Sequence, residues 1–303
     1  MADEHTYRTP CEMCGGAREE AFTTTDRNRA VTRRTFTYVR CTACGTYALR
    51  GVPDDLGEYY PGDYYAFPTA ADLARAAGAP SEQAKLAMIA QRVSAGRLIE
   101  IGPGGGEFCL AAQRAGFDVT AIEMDSRVCT HLERTVGVAA IRSAEPERVL
   151  ETLPPSDVVA MWHVLEHLRR PGLALERIAA NLRPGGVVAL AVPNPQSLQF
   201  RLLRGRWAHV DAPRHLFLLP LSAVAARGAR HGLRLLDATS SDPAGRHWNE
   251  FGWEYALRRF PARRPSTPST RLLARAITTA LSPLERRDLQ GCAYTAILVK
   301  DGG

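Results

Sequence analysis

The sequence predicts an α/β chain: a doubly wound parallel sheet preceded by a small metal-bound module. Three observations predict it. From about residue 97 onward, short apolar runs alternate with amphipathic stretches, the pattern of a parallel sheet with helices on both faces. The first of these runs breaks into the glycine-rich turn Gly102-Pro-Gly-Gly-Gly106. Ahead of it, four of the seven cysteines fall into two C-x-x-C pairs. A length of 303 residues accommodates one large domain and a small one.

Residues 1–50 read as a zinc ribbon. Its knuckles are Cys11-Glu-Met-Cys14-Gly15 and Cys41-Thr-Ala-Cys44-Gly45, each followed by the glycine that a tight turn around one ion requires. Between them, Arg33 to Arg40 alternates and is rich in β-formers, so it enters the second knuckle as a strand. So small a module has little core of its own, and a structural Zn²⁺ contributes on the order of 10 kcal/mol to such folds. Four thiolates close the coordination sphere, which makes the ion structural rather than catalytic.

Residues 51–80 form a linker dense in aromatics, Tyr59 to Phe67, where Pro61 and Gly62 exclude a long helix. Two uses are open for these rings: packing the module onto the large domain, or a lid over its site. The large domain, 81–303, opens with a helix over Ser81–Val93, Ser81 being a candidate N-cap. Strands follow at 97–101, 119–123, 138–141, 157–161 and 187–192, with helices at about 105–116, 126–135 and 171–182. Pro184-Gly185-Gly186 turns the last of these helices into its strand. A helix (220–231), a strand (233–240) and a final strand (293–300) complete the pattern. Residues 242–290 are an insertion with an aromatic segment, Arg246–Tyr255, and a helix from Arg271 to Leu281 that sets Leu272, Leu273, Ile277 and Leu281 on one face and stops before Pro283.

A strand, a glycine turn and a helix start make a nucleotide-cofactor cradle. A dinucleotide loop, G-x-G-x-x-G, counted from Gly102 and Gly104 needs glycine at position 107, which holds Glu107 and would set a negative charge beside a pyrophosphate. The alternative, acidic-x-G-x-G-x-G, is satisfied by Glu100, Gly102, Gly104 and Gly106. An acidic strand end follows about 20 positions later, Glu123-Met124-Asp125, the distance at which a carboxylate reaches a ribose diol. Asp125 or Ser126 also serves to cap the next helix.

With these spacings the chain resembles the class I S-adenosylmethionine-dependent methyltransferases, strongly over residues 95–240. The resemblance implies a seven-stranded Rossmann-like sheet whose last strand inserts antiparallel. It implies S-adenosylmethionine as cofactor, held by Glu100, Gly102, Gly104, Gly106, Glu123, Met124 against the adenine, the adenine-edge segment Ser143-Ala144-Glu145, Trp162 and His163. The run Trp162-His163-Val-Leu-Glu166-His167 resembles the post-strand signature of the subgroup that contains ubiquinone and natural-product methyltransferases. Trp207…Pro213-Arg214-His215-Leu216 resembles the segment that loops over that subgroup's acceptor. His215 is the leading candidate general base, then His167, with His163 bordering the cofactor; an imidazole titrating near ~6.5 takes a proton from a hydroxyl as the methyl moves. Against this stands a plainer use, in which Glu166 and His167 cap a helix and His215 anchors its loop. The zinc-containing sugar C-methyltransferases are similar in joining a zinc module to this domain, but their corresponding segment reads Tyr-x-Glu-His where this chain has Ala212-Pro213-Arg214-His215. Carbon deprotonation beside a ketone needs that richer base cluster, and the resemblance stops short of it.

The net charge is +6, and almost all of the positive charge is arginine, since lysine occurs only at 85 and 300. The arginines are scattered, as on solvated faces; an anionic acceptor such as a nucleotide-linked sugar is the sharper use, and a nucleic acid is disfavoured because no contiguous basic run exists. No apolar run reaches the ~18 residues of a membrane span, and residues 1–10 lack a signal-peptide core, so a cytoplasmic location is expected. The function expected is methyl transfer to a hydroxyl or carbon of a sugar or secondary metabolite. The rivals are an RNA or protein methyltransferase that docks its substrate on the zinc ribbon, and a non-catalytic cofactor-binding protein.

Overall fold

The computed structural model describes residues 9–60, 67–258 and 265–302. Most of the expected aromatic lid, Tyr64 and Tyr65 included, and the start of the Pro261–Pro268 loop lie outside the described residues.

The N-terminal segment folds as β1 (Arg18–Thr25), β2 (Thr35–Cys41) and β3 (Tyr47–Leu49), of which the sequence pattern signals only β2. Two short helices follow, α1 (Ala70–Ala77) and α2 (Pro80–Ala90). The sequence gives no warning of α1, whose start is held by the Thr69 side chain accepting from the Asp72 N–H. α2 begins one residue before the expected cap: Pro80 takes the first helical position, where its missing N–H costs nothing, and Ser81 lies inside the first turn.

The alternating body runs β4 (Gly96–Ile101), α3 (Glu107–Arg114), β5 (Phe117–Glu123), α4 (Ser126–His131), β6 (Ala139–Arg142), α5 (Pro146–Leu150), β7 (Ser156–Trp162), α6 (Pro171–Asn181) and β8 (Leu182–Pro193). Then come α7 (Leu198–Leu203), β9 (Phe217–Leu218), α8 (Leu221–Ala229), β10 (Leu233–Thr239), α9 (Pro243–Leu257), α10 (Pro268–Arg286) and β11 (Ala293–Lys300). Pro184-Gly185-Gly186 does not precede its strand but lies within it, as an irregularity where the pairing steps from Ser156↔Leu182 to Val158↔Val187.

The seven-stranded sheet has the order β10-β11-β8-β7-β4-β5-β6, and β11 runs antiparallel to both β8 and β10. Period-two alternation divides its side chains. Ile99, Val159, Met161, Val188 and Leu190 enter one core with α6 and α8, while Leu98, Val158, Ala160, Val187 and Ala189 enter the other with α2, α3 and α4. The first core continues without a break into the N-terminal segment through Met13, Tyr38, Val39 and Tyr47.

In α10 the structure departs from the sequence pattern. The helix runs through Pro283, whose cost falls in its last turn. Leu272 and Leu273 are exposed, and the packed side is built around Ala274 and Glu285 instead, because Glu285 accepts hydrogen bonds from Asn249 and Trp253 of α9.

The N-terminal segment joins the large sheet through the loop before β9. β9 completes a second sheet, β1-β2-β3-β9, pairing Tyr47 with Leu218 and Ala48 with Phe217. The Tyr38 hydroxyl donates to the carbonyls of His215 (2.6 Å) and Val210 (3.3 Å). At the centre is Arg214, its side chain fully buried. It donates to Asp26 Oδ1 (2.7 Å), to both oxygens of Asp211 (2.7 and 3.0 Å) and to the Tyr59 carbonyl (3.1 Å). Burial by itself raises the Asp211 carboxyl, but the guanidinium outweighs it and holds the pKa down to about 2. Replacing Arg214 by leucine leaves two carboxylates facing each other without their cation; we expect a loss of about 3–5 kcal/mol in denaturant unfolding, and a loss below ~1 kcal/mol would show that the bridge is not needed.

Candidate active site

Ligands of open parallel sheets lie beyond the carboxyl ends of the strands, where the strand order reverses. Here that rim is formed by the ends of β4, β5 and β7, and two cavities open along it. One, of about 710 Å³, is lined by Glu82, Lys85, Glu100, Glu107, Trp162 and the α9 residues His247 and Trp248. The other, of about 480 Å³, is lined by Glu123, Met124, Ser143, Ala144, His167 and Tyr60. Gly102, Gly104 and His163 line both.

The glycine turn creates the junction. Gly102 has φ +67°, and a Cβ there would come within 2.6 Å of Val164 Cγ2, so neither conformation nor space admits a side chain. Gly104, at φ +57°, has nothing within 4 Å of the position a Cβ would take, so its backbone is bare to a ligand. Gly106 starts α3. Glu107 folds back over Gly105, whose Cβ would meet its carboxylate, so the helix start carries its own negative charge. Glu100 is buried and accepts from Cys109 Sγ (2.8 Å). Burial raises its pKa to about 8 against the opposing pull of Cys109 and Lys85.

Glu123, at the end of β5, takes the N–H groups of Met124 (2.7 Å) and Asp125 (2.9 Å) on Oε1 alone, so the other oxygen keeps its acceptor capacity. Burial raises its pKa. Met124 and Ala144 line the same cavity. Glu145 lies outside both cavities, its carboxylate 3.2 Å from Arg148 and 3.9 Å from Arg170. Trp162 presents a buried indole N–H with no hydrogen-bond partner, and Lys85 sits 4.8 Å over its ring while paired to Glu82 at 2.9 Å. Glu82 and Lys85 escaped the sequence reading; the one available signal was that lysine is so rare in this chain.

The histidines are arranged in depth. His163 occupies the left-handed region at φ +59°, a costly conformation for a residue with a side chain, and its N–H is tied to the Ala191 carbonyl (2.8 Å). Its ring meets Trp248 edge-on at 4.9 Å, and its Nδ1 stands 3.5 Å from Glu166. His167 Nδ1 is 3.0 Å from the Arg214 carbonyl and 3.1 Å from the Tyr60 hydroxyl. His215 packs on His167 at 4.6 Å and lines neither cavity. Its Nδ1–H donates to the His209 carbonyl (2.8 Å), which leaves Nε2 toward Glu166 at 4.0 Å. Thus the histidine placed first by sequence stands one layer behind, and His163 stands at the front. Burial lowers the pKa of His163 and of His167 to about 4. Glu166 is fully buried with no hydrogen-bond partner on either oxygen, and burial raises its pKa. His209 is a further buried histidine that the sequence did not single out; it contacts Trp248.

The four N-terminal cysteines converge on one another and line neither cavity. Their sulfurs lie within 4.8 Å of one another, with Cys11–Cys44 at 3.7 Å and Cys14–Cys41 at 3.5 Å. Sulfurs placed ~2.3 Å from a tetrahedral ion stand roughly 3.8 Å apart, whereas a disulfide would need about 2.05 Å. Backbone N–H groups point at Cys14 and Cys41. At Cys41 burial opposes the thiolate, but these donors outweigh it and bring the pKa to about 7.

The cavities predict cofactor affinity. Glu123→Gln should weaken binding of S-adenosylhomocysteine about tenfold or more in calorimetric titration, with thermal unfolding unchanged; an affinity within twofold of the parent would remove Glu123 from the site.

A family profile described as a methyltransferase domain matches residues 70–238, more than half of the chain. The chain is 36% identical over 103 residues to the ubiquinone biosynthesis O-methyltransferase of Caulobacter sp. (strain K31), covering 32% of this chain and 41% of that protein. It is 25% identical over 177 residues to the enzyme of that name from Colwellia psychrerythraea (strain 34H / ATCC BAA-681), covering 53% and 68%. The chain thus spans about two fifths of the length of the first of these relatives. Among solved structures, a SAM dependent methyltransferase from Archaeoglobus fulgidus is 17% identical with a TM-score of 0.48, over 72% of this chain and 92% of that one. An S-adenosylmethionine dependent methyltransferase from Mesorhizobium loti is 14% identical with a TM-score of 0.49, over 74% and 100%. Among the described residues no helix is long and apolar enough to cross a membrane. On its matched domain and the sheet that carries it, the chain belongs to the class I S-adenosylmethionine-dependent methyltransferases.

Proposed function

We propose that this enzyme transfers the methyl group of S-adenosylmethionine to a small-molecule acceptor, at a hydroxyl or carbon of a sugar or secondary metabolite. The observation that carries the proposal is the position of His163 where the two cavities meet, beside Gly102 and Gly104. The bare glycine backbone, the spare Glu123 oxygen and the orphaned Trp162 N–H suit that cofactor. When bound, S-adenosylmethionine supplies an electrophilic methyl group on a sulfonium.

The remaining work falls to side chains of this chain. Glu123, Met124 and Ala144 hold the adenosine half. Glu107 and Glu82 set negative charge where an α-ammonium is received, with Lys85 for the carboxylate, while Glu100, its pKa raised to about 8 by burial, lines the same cavity as a hydrogen-bonding carboxyl. Trp248 and His247 wall the acceptor side of the larger cavity. Methyl transfer of this kind proceeds mainly by holding the nucleophile about 3–3.5 Å from the methyl carbon. His163 takes the acceptor's proton as a hydroxyl attacks, and Glu166, 3.5 Å behind it, stabilises the imidazolium that results. His167 and His215 complete the nest around that carboxylate.

Labelled-methyl transfer from S-adenosylmethionine to fractionated metabolites and RNA tests the reading: label is expected in small molecules, and label in RNA alone would sink it. In the same assay His163→Gln should lower turnover about 10²–10⁴-fold with cofactor affinity retained. The base acts unprotonated, and burial holds His163 neutral down to about pH 4. The acid limb of kcat/KM should therefore fall near pH 4 rather than near the ordinary ~6.5 of histidine.

We further propose that Cys11, Cys14, Cys41 and Cys44 hold one structural zinc ion, on the strength of their spacing and the N–H groups aimed at their sulfurs. Since β3 of this segment pairs with β9, beside His215, metal removal should disturb the acceptor loop as well. Elemental analysis should return one zinc per chain, lost in Cys14→Ser together with thermal stability; a metal-free parent protein that unfolds at the same temperature would refute the site.

A further inference from the structure

A third cavity, of about 410 Å³, lies between α9 and α10 and touches the acceptor side of the site. Its walls include Arg246, His247, Arg275, Ser282 and Arg286. At 3.6 residues per turn, α9 turns Ala244, His247 and Trp248 toward the larger active-site cavity and Arg246, Asn249 and Glu250 toward this one. His247, on the edge between these faces, lines both.

The charge here is unspent. Arg258 and Arg287 nearby are paired with Glu254 and Asp288. By contrast, no carboxylate among the described residues lies within ion-pair distance of Arg246, Arg275 or Arg286. Two carboxylates do share the cavity. Glu285 is buried and already accepts from Trp253 (2.8 Å) and Asn249 (3.0 Å), so its two oxygens are turned to these donors rather than to the arginines. Glu250 remains as the one carboxylate at the wall that these donors do not engage. Arg246 and Arg286 are solvent-exposed and both line the cavity, as do Asn249 and Glu285, whose side chains join the two helices. Arg275 stands eleven residues from Arg286, roughly 16 Å along α10, at the far end of the wall. A planar guanidinium binds phosphoryl oxygens through two parallel donors, which makes unpaired arginines beside a hydroxyl a phosphate-binding set.

We propose that this cavity binds a phosphoryl group, as a phosphate or diphosphate tail of the methyl acceptor. The reacting end lies beside Trp248 and His163, and the tail passes His247 to reach Arg246 and Arg286. This rests on the small-molecule methyl transfer proposed above and narrows its acceptor to a phosphorylated or nucleotide-linked compound.

The test uses the full chain saturated with S-adenosylhomocysteine, titrated with inorganic pyrophosphate at constant ionic strength. Saturable binding is expected, weakened about tenfold in Arg246→Gln and further in the Arg246→Gln/Arg286→Gln double variant. Melting temperature and S-adenosylhomocysteine affinity should match the parent, which excludes misfolding as the cause. Acetate at the same ionic strength should not saturate. Absence of saturable pyrophosphate binding, equal binding of acetate, or binding that survives the double substitution would overturn the proposal. Pyrophosphate binding lost with methyl transfer to small molecules intact fails this proposal alone. Methyl transfer absent with pyrophosphate binding intact fails the broader reading and leaves the cavity's anion preference standing.

Discussion

The structure depends on one buried cation. Arg214 has no exposed side-chain surface, and its charge is answered by Asp26 from the end of β1 and by Asp211 from its own loop. A guanidinium in such a place is tolerated only when its donors are matched, because the desolvation of three charges is recovered only by good geometry. That requirement ties together parts of the chain 188 residues apart in sequence. The N-terminal segment is therefore more than an appendage. It supplies a carboxylate to the loop that carries His215, a hydroxyl from Tyr38 to that loop's backbone, and a sheet that the loop completes.

This arrangement explains the depth ordering of the histidines. With its backbone gripped by Tyr38 and its Nδ1–H given to the His209 carbonyl, His215 has little freedom to swing toward the rim. His163, by contrast, is carried on a strained residue at the end of β7, and it is held there by a single backbone bond to β8. Strain of that sort persists where the surrounding structure over-determines a position, and it aims the ring into the junction of the cavities. Glu166 lies between these two layers with neither oxygen hydrogen-bonded, a costly state that a protonated neighbour relieves.

Much of the fold was legible in the sequence because one physical signal, the burial of a parallel sheet on both faces, leaves continuous apolar runs separated by helical spacing. All seven strands of the large sheet lie where those runs do. The failures are equally specific. β3 is a three-residue strand buried by neighbours far away in sequence, and β1, though eight residues long, buries only Thr24, so no periodicity announces either. The inward face of α10 was misread because Glu285, a charged residue, is drawn inside by the donors of Asn249 and Trp253. Hydrophobic spacing cannot register a polar anchor of this kind.

For the site the division follows the range of the interactions. The residues proposed to hold the cofactor sit at or beside strand ends, so the order Glu100, Gly102, Glu123, Trp162 is set by the chain itself: a glycine where φ is positive, and a carboxylate where a strand stops. The sequence alone determined those positions and the paired cysteine knuckles, because each is a local device of a few adjacent residues. Which histidine lines both rim cavities, which arginine is buried, and that α9 walls both the larger rim cavity and an arginine-lined one, were decided only by the tertiary structure. Those properties depend on which distant groups desolvate or neutralise a side chain, and that is not written in its neighbours along the chain.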